Sequence, residues 1–281
     1  MPARPRATVR RIAAEVLGPT LGSDYLAAVR ARSRSVHYDP ERSWAERYDR
    51  MLAEHALDDG ATIRAGAKPT YTRYHYNAVE NAILESAIRG RLPKRPVTLD
   101  VGAGGGHWIA FYRTVLDAQR VVGLDIAPAV VESLTAAFDG APEVAIVQGN
   151  IADEGFALDT RFDVVNAIDV MFHIVDDDAW RRAMRNLAAH LSPGGRLVIA
   201  EHVALVGHDA GFRPADPARG EPETHNGAPT SIVTKRLRSR REWRACAREA
   251  GLSLAHSARI RKSRTLLTPA NRLLVFGKPG S

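Results

Sequence analysis

The spacing of hydrophobic positions divides this 281-residue chain into two parts that meet near Pro96. In residues 1–94, apolar side chains recur every three to four positions, which is typical of helices with one buried face. Four helices are predicted there, at residues 11–18, 25–33, 43–57 and 77–92. The aromatic-rich residues 62–77 show no such period and are expected to be irregular. Residues 1–94 are therefore predicted to form a helical cap.

After Pro96, short apolar runs alternate with amphipathic stretches, which is typical of a parallel sheet covered by helices on both faces. Seven strands are predicted, at residues 97–101, 121–125, 144–150, 162–169, 196–202, 252–260 and 271–279. Residues 203–234 are rich in Gly, Pro and His and are expected to form a loop or a lid. Residues 95–281 are thus predicted to be an α/β domain, doubly wound and mostly parallel, with an insertion after the fifth strand.

Composition and charge narrow the class of protein only slightly. The 39 Lys and Arg residues against 32 Asp and Glu give a formal net charge of +7, and their scatter favours a solvated surface. The single cysteine, Cys246, excludes an internal disulfide, and no apolar run reaches the roughly 18 residues that a membrane span needs. We therefore expect a cytoplasmic protein without a metal site, although the Arg- and Ala-rich N-terminus also has the bias of a mitochondrial presequence.

A glycine-rich turn between the first predicted strand and its helix is the main chemical signal. Residues 99–108 read LDVGAGGGHW, so Asp100 is followed by glycines at 102, 104 and 106. Glycines at such a turn let the backbone approach a ligand closely, and the following helix offers free N–H groups. The dinucleotide fingerprint G-x-G-x-x-G/A would require Gly or Ala at position 107, which is His107. The spacing of the glycines therefore disfavours a nicotinamide cofactor.

The motif resembles the first motif of class I S-adenosylmethionine-dependent methyltransferases, and the resemblance continues in order over residues 96–202. It implies a Rossmann-like fold, S-adenosyl-L-methionine as cofactor and S-adenosyl-L-homocysteine as product. By this resemblance, Asp100 orders the loop near the methionine amino group, Asp125 holds the ribose hydroxyls, and Asn150, in place of the common Asp, accepts from the adenine amino group. The cofactor-binding residues implied are Asp100, Gly102, Ala103, Gly104, Gly106, Asp125, Ile126, Asn150, Ile151, Ala167, Ile168 and, from the cap, Arg73.

Relatives in the small-molecule branch of this family often place a catalytic histidine where His173 follows the fourth strand. His173 is accordingly the candidate general base, because imidazole titrates near neutral pH; packing beneath the cofactor is the alternative role. In relatives, a cap segment such as residues 71–76 folds over the cofactor and supplies a cation or hydroxyl to its carboxylate. The residues expected near the methyl acceptor are Tyr71, Tyr74, His75 and His202.

The acceptor is the least determined part of the prediction. Residues 166–169 read NAID, where methyltransferases of exocyclic base amines carry a DPPY-like signature, and Cys246 lies far from the position of a pyrimidine-attacking cysteine. Both nucleic-acid chemistries therefore lose support. We expect O-methylation of a hydroxyl on a small molecule or glycan by in-line displacement, with His173 removing the proton. RNA methylation and a non-catalytic module that binds the cofactor and regulates a partner remain open.

Overall fold

The computed structural model describes residues 35–54, 69–225, 228–260 and 270–280. The helices predicted at 11–18 and 25–33 lie outside these residues. The described helices are α1 (Pro40–Glu54), α2 (Pro69–Ile88), α3 (His107–Thr114), α4 (Pro128–Ala137), α5 (Asp177–His190) and α6 (Arg240–Glu249). The described strands are β1 (Ser35–His37), β2 (Val97–Val101), β3 (Arg120–Asp125), β4 (Val144–Gln148), β5 (Phe162–Ile168), β6 (Leu191–Ala204), β7 (His208–Pro214), β8 (Thr224–His225), β9 (Ala228–Pro229), β10 (Ser231–Ser239), β11 (Ser253–Arg259) and β12 (Ala270–Gly277). Within the described ranges, no helix is long and apolar enough to cross a membrane.

The central sheet has the order β4-β3-β2-β5-β6-β12-β11. The five strands from β4 to β6 are parallel, whereas β12 runs antiparallel to both of its neighbours. The chain winds outward from β2 to β4 and then crosses back to β5, so a switch point lies between β2 and β5. At such a point, α/β sheets open a crevice at the carboxyl ends of their strands. The predicted Rossmann-like sheet is confirmed.

Helices cover both faces of this sheet. One apolar cluster joins α5 and α6 to strand side chains such as Val165 and Leu197. A second cluster joins α2, α3 and α4 to the neighbouring side chains Val164 and Val198. Because successive side chains of a strand point to opposite faces, strands buried on both sides carry nearly continuous apolar runs. This burial explains why the strands could be recognised in the sequence.

The aromatic-rich segment before the domain is helical over its second half, which corrects the prediction that residues 62–77 are irregular. Helix α2 begins at Pro69, a residue type favoured in the first helical turn. Its buried face is formed by His75, Val79, Ile83 and Ser86. Their spacing follows the helical period. Two of these four residues are polar, so the face does not stand out as an apolar stripe.

The structure also corrects part of the prediction that residues 203–234 form a loop or a lid, because strands occupy part of this range. β7 pairs antiparallel with β10 along its whole length, β1 pairs parallel with β10, and β10 meets the end of β6. These strands extend the sheet beyond β6. Gly211 and Pro214 hide the strand character of β7, and β10 buries Ile232 and Val233 as neighbours rather than in alternation. The sequence therefore lacked the period-two pattern by which a half-buried strand is recognised.

Candidate active site

The glycine-rich turn follows β2 and leads into α3. Gly102, Gly104 and Gly106 have φ angles of +70°, +52° and +79°, a left-handed region that other residues avoid. A Cβ on Gly102 would lie 2.5 Å from Cγ2 of Val170, in the segment after β5. The turn thus needs glycine both for its conformation and for its close approach to the neighbouring strand end.

A cavity of about 540 Å³ opens at the carboxyl ends of the parallel strands, between this turn and helix α1. The predicted site residues that line it are Gly102, Ala103, Gly104, Asp125, Ile126, Asn150, Ile151, Ile168, His173 and His202. The volume lies within the range of small-ligand sites. Asp100, Gly106 and Ala167 do not line the cavity and support its wall from behind. Among the described residues, no group of three His, Cys, Asp or Glu side chains could hold a metal ion.

Asp125, at the end of β3, reinforces the glycine turn. Its Oδ2 accepts a hydrogen bond from the Gly104 N–H at 2.9 Å, and its Oδ1 accepts one from the Ala127 N–H at 3.0 Å. Burial raises the pKa of this carboxyl, and the backbone hydrogen bonds oppose the rise. Each carboxylate oxygen can accept more than one hydrogen bond, so the group fits a ligand hydroxyl at the cavity wall.

Asp100 lies fully buried under the turn and is hydrogen-bonded to neighbouring side chains. Its Oδ1 accepts from Asn166 Nδ2 at 2.8 Å, and Tyr112 donates its hydroxyl to Asn166 Oδ1 at 3.2 Å. No described residue donates to Oδ2, although this atom is buried. Burial raises the pKa of Asp100 to about 7. Because Asp100 does not line the cavity, it would act on a bound cofactor through the turn above it, as the family resemblance implies.

Asn150 lies at the other end of the cavity, after β4. Its Nδ2 donates to Glu41 Oε1 of α1 at 2.8 Å, and its Oδ1 accepts from the Ala152 N–H at 2.9 Å. The carbonyl expected to accept from an adenine amino group is therefore already used once. It retains a second lone pair, so the adenine contact stays a prediction.

His173 ends a short 3₁₀ turn, Met171–His173, that follows β5. Its Nδ1 lies 3.2 Å from the carbonyl oxygen of Thr234 on β10. A carbonyl can only accept, so Nδ1 carries the proton and Nε2 is left as a hydrogen-bond acceptor. Burial, and then the positive charges of Lys235 and Arg47, lower the pKa of His173 to about 3. The imidazole is therefore neutral over the physiological pH range.

Groups from two strands hold the backbone of this turn. Glu201 of β6 accepts from the Phe172 N–H at 2.8 Å. Arg238 of β10 donates to the carbonyl oxygens of Ile174 at 2.9 Å and Met171 at 3.5 Å. Burial raises the pKa of Glu201 to about 8. The position of the candidate histidine thus depends on two buried ionisable side chains that sequence analysis did not single out.

The residues of α2 that were predicted to lie near the cofactor or the acceptor are found in different environments. Arg73 and Tyr74 are exposed and do not line the cavity, and the side chain of Tyr71 lies outside the described residues. His75 is fully buried and is hydrogen-bonded through Nε2 to Asp169, whose carboxylate does line the cavity. On a helix, successive side chains point about 100° apart, so adjacent residues cannot all face one cavity. His75 therefore reaches the site through Asp169.

Asp169 itself is held in an unusual backbone conformation. Its φ of +57° is in the left-handed region, where non-glycine residues are uncommon. It directly follows β5 and precedes Val170, which packs against Gly102. Strained residues of this kind cluster at ligand sites, so the conformation is consistent with a functional position.

Several cavity residues were not predicted. Trp44, Arg47 and Tyr48 come from α1, at spacings that place them on one helical face. That face could have been noticed in the sequence, since the helix itself was predicted. Lys235, on β10, had no local signal, because the first four residues of its strand were predicted as a loop or lid and no strand was predicted there.

The fold and the glycine-rich turn are typical of α/β proteins that bind a nucleotide-like cofactor at the ends of their strands. A family model described as a methyltransferase domain matches residues 98–195. A crystal structure of an S-adenosylmethionine-dependent methyltransferase from Clostridium acetobutylicum is similar with a TM-score of 0.54 at 13% identity, covering 86% of this chain and 100% of that one. N-methyltransferase NodS from Bradyrhizobium japonicum has a TM-score of 0.54 at 14% identity, covering 83% and 98%.

Curated relatives match over shorter stretches. The dTDP-4-amino-2,3,4,6-tetradeoxy-D-glucose N,N-dimethyltransferase of Saccharopolyspora spinosa is 36% identical over 125 residues, 43% of this chain and 47% of its own. The ubiquinone biosynthesis O-methyltransferase of Methylobacterium nodulans is 30% identical over 143 residues, 48% and 55% of the two chains. The chain thus matches about half the length of these relatives. Residues 98–195 thus match a methyltransferase domain, and the sheet has the Rossmann-like fold of the S-adenosylmethionine-dependent methyltransferase from Clostridium acetobutylicum.

Proposed function

We propose that this protein transfers a methyl group from S-adenosylmethionine to a nitrogen or oxygen atom of a small molecule, with an amine nitrogen favoured. The observation that carries the proposal is a single cavity that joins the glycine-rich turn and Asp125 to the neutral imidazole of His173. One cavity therefore holds the features of a cofactor site and a polar group for an acceptor. The match to a methyltransferase domain supports the same activity.

The residues around the turn would hold the cofactor. Asp125 would accept from the ribose hydroxyls, and Asp100, buried beneath the turn, would order the loop near the methionine amino group. The bound cofactor supplies a methyl group that is already activated on a sulfonium. Helix α1 contributes Trp44 and Tyr48 to the cavity wall. The protein's contribution is then mainly to align the acceptor for in-line attack.

The neutral His173 favours an amine as the accepting group. Its Nε2 can accept a hydrogen bond from an N–H and orient the nitrogen lone pair. A base contributes most when its pKa lies near the working pH, so an imidazole with a pKa of about 3 is poorly suited to deprotonate a hydroxyl. A neutral amine needs no such step. The relative that dimethylates an amino sugar is consistent with this choice.

O-methylation with His173 as general base is the second candidate. The same geometry favours it in one respect, since Nε2 is unprotonated and available in the cavity wall. The curated O-methyltransferase relative supports it. The predicted acceptor hydroxyl of a sugar or natural product belongs to this second candidate.

The first experiment measures binding of S-adenosylhomocysteine by calorimetry, and then methyl transfer from labelled S-adenosylmethionine to extract fractions. Label in small-molecule amines is expected, with products identified by mass spectrometry. Label in RNA would contradict the small-molecule proposal. Cofactor binding with no label in any fraction would instead favour the non-catalytic module.

Replacement of His173 by alanine separates the two candidates. If His173 only orients an amine, the turnover number falls by less than about tenfold. A general base at a hydroxyl would contribute roughly 10²–10⁴-fold. A loss in that larger range, with S-adenosylhomocysteine affinity unchanged, would support O-methylation and contradict the amine proposal.

A further inference from the structure

Beyond the end of β5, the cavity wall combines aromatic rings with cationic side chains. Lys235 Nζ lies 5.4 Å from the ring centroid of Phe172, and Arg47 Cζ lies 5.0 Å from that of Trp44. The rings of Phe172 and Trp44 both contact His173, with centroid distances of 4.3 and 4.8 Å. The two cations and two rings therefore surround the polar group at which the acceptor is proposed to bind.

Among the described residues, cations outnumber carboxylates at this end of the cavity. Both cations act on His173, since the positive charges of Lys235 and Arg47 lower its pKa. Among the described residues that line this end, Asp169 supplies the opposing carboxylate, which is hydrogen-bonded to His75. Glu201, nearby but behind the wall, has a pKa raised to about 8 and is mostly protonated at neutral pH. The described lining residues at this end therefore comprise two cationic side chains and one carboxylate.

Holding this positive charge in the wall has a cost. Burial lowers the pKa of the Arg47 guanidinium, which means that its charged form is desolvated. A bound anion would offset that cost, because charge-assisted hydrogen bonds are among the strongest in proteins. Both cations also lie outside residues 98–195, the part that matches the methyltransferase domain. They belong to α1 and β10, the elements added around the domain.

We propose that the methyl acceptor carries an anionic group, a carboxylate or a phosphate, which Lys235 binds with help from Arg47 while the rings of Phe172 and Trp44 contact the rest of the molecule. The inference rests on the proposed function, since it names the chemistry of that acceptor. It excludes a neutral molecule as the preferred acceptor. The anion places the acceptor beside His173.

The test measures binding of small probes to the protein loaded with S-adenosylhomocysteine, using saturation-transfer nuclear magnetic resonance. Phenyl phosphate and benzoate present the two anionic groups, and benzyl alcohol is the neutral control. We expect at least one anion to bind about tenfold or more tightly than benzyl alcohol. The stronger of the two identifies the group as phosphate or carboxylate. Equal affinity for all three probes would overturn the inference.

Variants then assign the preference to Lys235. K235M should lose the preference for anionic probes over benzyl alcohol, whereas K235R, which keeps the charge, should retain most of this preference. Lys94 is exposed and does not line the cavity, so K94M is the matched control and should behave like the wild type. Thermal melting confirms that each variant is folded. An unchanged anion preference in folded K235M would contradict the assignment.

Cofactor affinity, measured on the same samples by calorimetry, separates the inference from the function on which it rests. K235M should bind S-adenosylhomocysteine as the wild type does. Weaker cofactor binding with an intact anion preference would mean that Lys235 serves the cofactor carboxylate, and the inference would be wrong. Failure of the wild type to bind S-adenosylhomocysteine would contradict the proposed function itself.

Discussion

Replacing Glu201 with glutamine is expected to stabilise the protein at neutral and alkaline pH. Burial raises the pKa of this carboxyl from an ordinary value of 4.5 to about 8. The folded protein therefore holds a proton that the unfolded chain releases. Such a group stabilises the fold fully below pH 4.5, and its contribution is lost as the pH rises through about 8. Glutamine cannot ionise and removes this dependence.

The size of the change in the free energy of unfolding follows from the shift in the pKa of Glu201. Each pH unit between the unfolded and folded pKa values costs about 1.4 kcal/mol. At pH 7 the carboxyl is thus expected to lower the free energy of unfolding by about 3 kcal/mol relative to its neutral isostere. Near pH 4.5 and below, the two proteins should be equally stable. The hydrogen bond from the Phe172 N–H should persist, because the glutamine carbonyl can accept it.

Urea unfolding at a series of pH values from 4.5 to 9 measures the difference between E201Q and the wild type. Subtracting the wild-type free energy of unfolding from that of E201Q cancels the contributions of the other titrating groups. His173 is one of these groups: because its pKa is lowered in the folded protein, the free energy of unfolding rises with pH up to 6.5, the ordinary pKa of histidine. E132Q, which changes an exposed glutamate on α4, is the control and should differ from the wild type by a constant amount. A difference between E201Q and the wild type that does not grow with pH would refute the argument.

Three further substitutions test the site. Gly102→Ala should lower the free energy of unfolding by about 1–3 kcal/mol more than Gly140→Ala. Both glycines have positive φ angles, but only a Cβ at position 102 would clash with Val170. Chemical unfolding measures both losses, and equal losses would contradict the steric argument. Asp125→Asn should weaken S-adenosylhomocysteine binding about tenfold or more, because charge-assisted hydrogen bonds are lost. Unchanged affinity in calorimetry would contradict the assignment of Asp125 to the cofactor site. Arg238→Met should lower the turnover number more than the cofactor affinity, because it removes the hydrogen bonds that hold the turn carrying His173. Steady-state kinetics that show an effect on the cofactor alone would argue against this role of Arg238.

The cofactor end of the cavity could be predicted because its residues obey a local rule. Gly102 follows β2, Asp125 ends β3 and Asn150 follows β4, and parallel strands bring their carboxyl ends to one edge. Each residue is thus placed by its own strand and by the sheet order. Only the detailed partners could not be predicted. The hydrogen bond from Asn150 to Glu41 joins residues 109 positions apart and depends on how α1 docks.

The acceptor end could not be predicted because no local rule places its residues. Lys235 reaches the cavity only because β10 pairs with β7, β1 and the end of β6, and the β1 pairing joins Ser35 to Ser231. Helix α1 was predicted, but its position over the strand ends is a tertiary property. The buried partners of the histidine turn have the same origin. Glu201 and Arg238 lie on different strands from the turn that they hold.

The two proposals are coupled through the charge of His173. The pKa of this imidazole is low partly because Lys235 and Arg47 are close, and an anionic acceptor would offset both positive charges. Binding of the acceptor would therefore remove part of this lowering, but burial, its largest cause, would remain. The same cations would then select the acceptor by its charge, and the imidazole would stay neutral, which agrees with its proposed role of accepting a hydrogen bond from an amine.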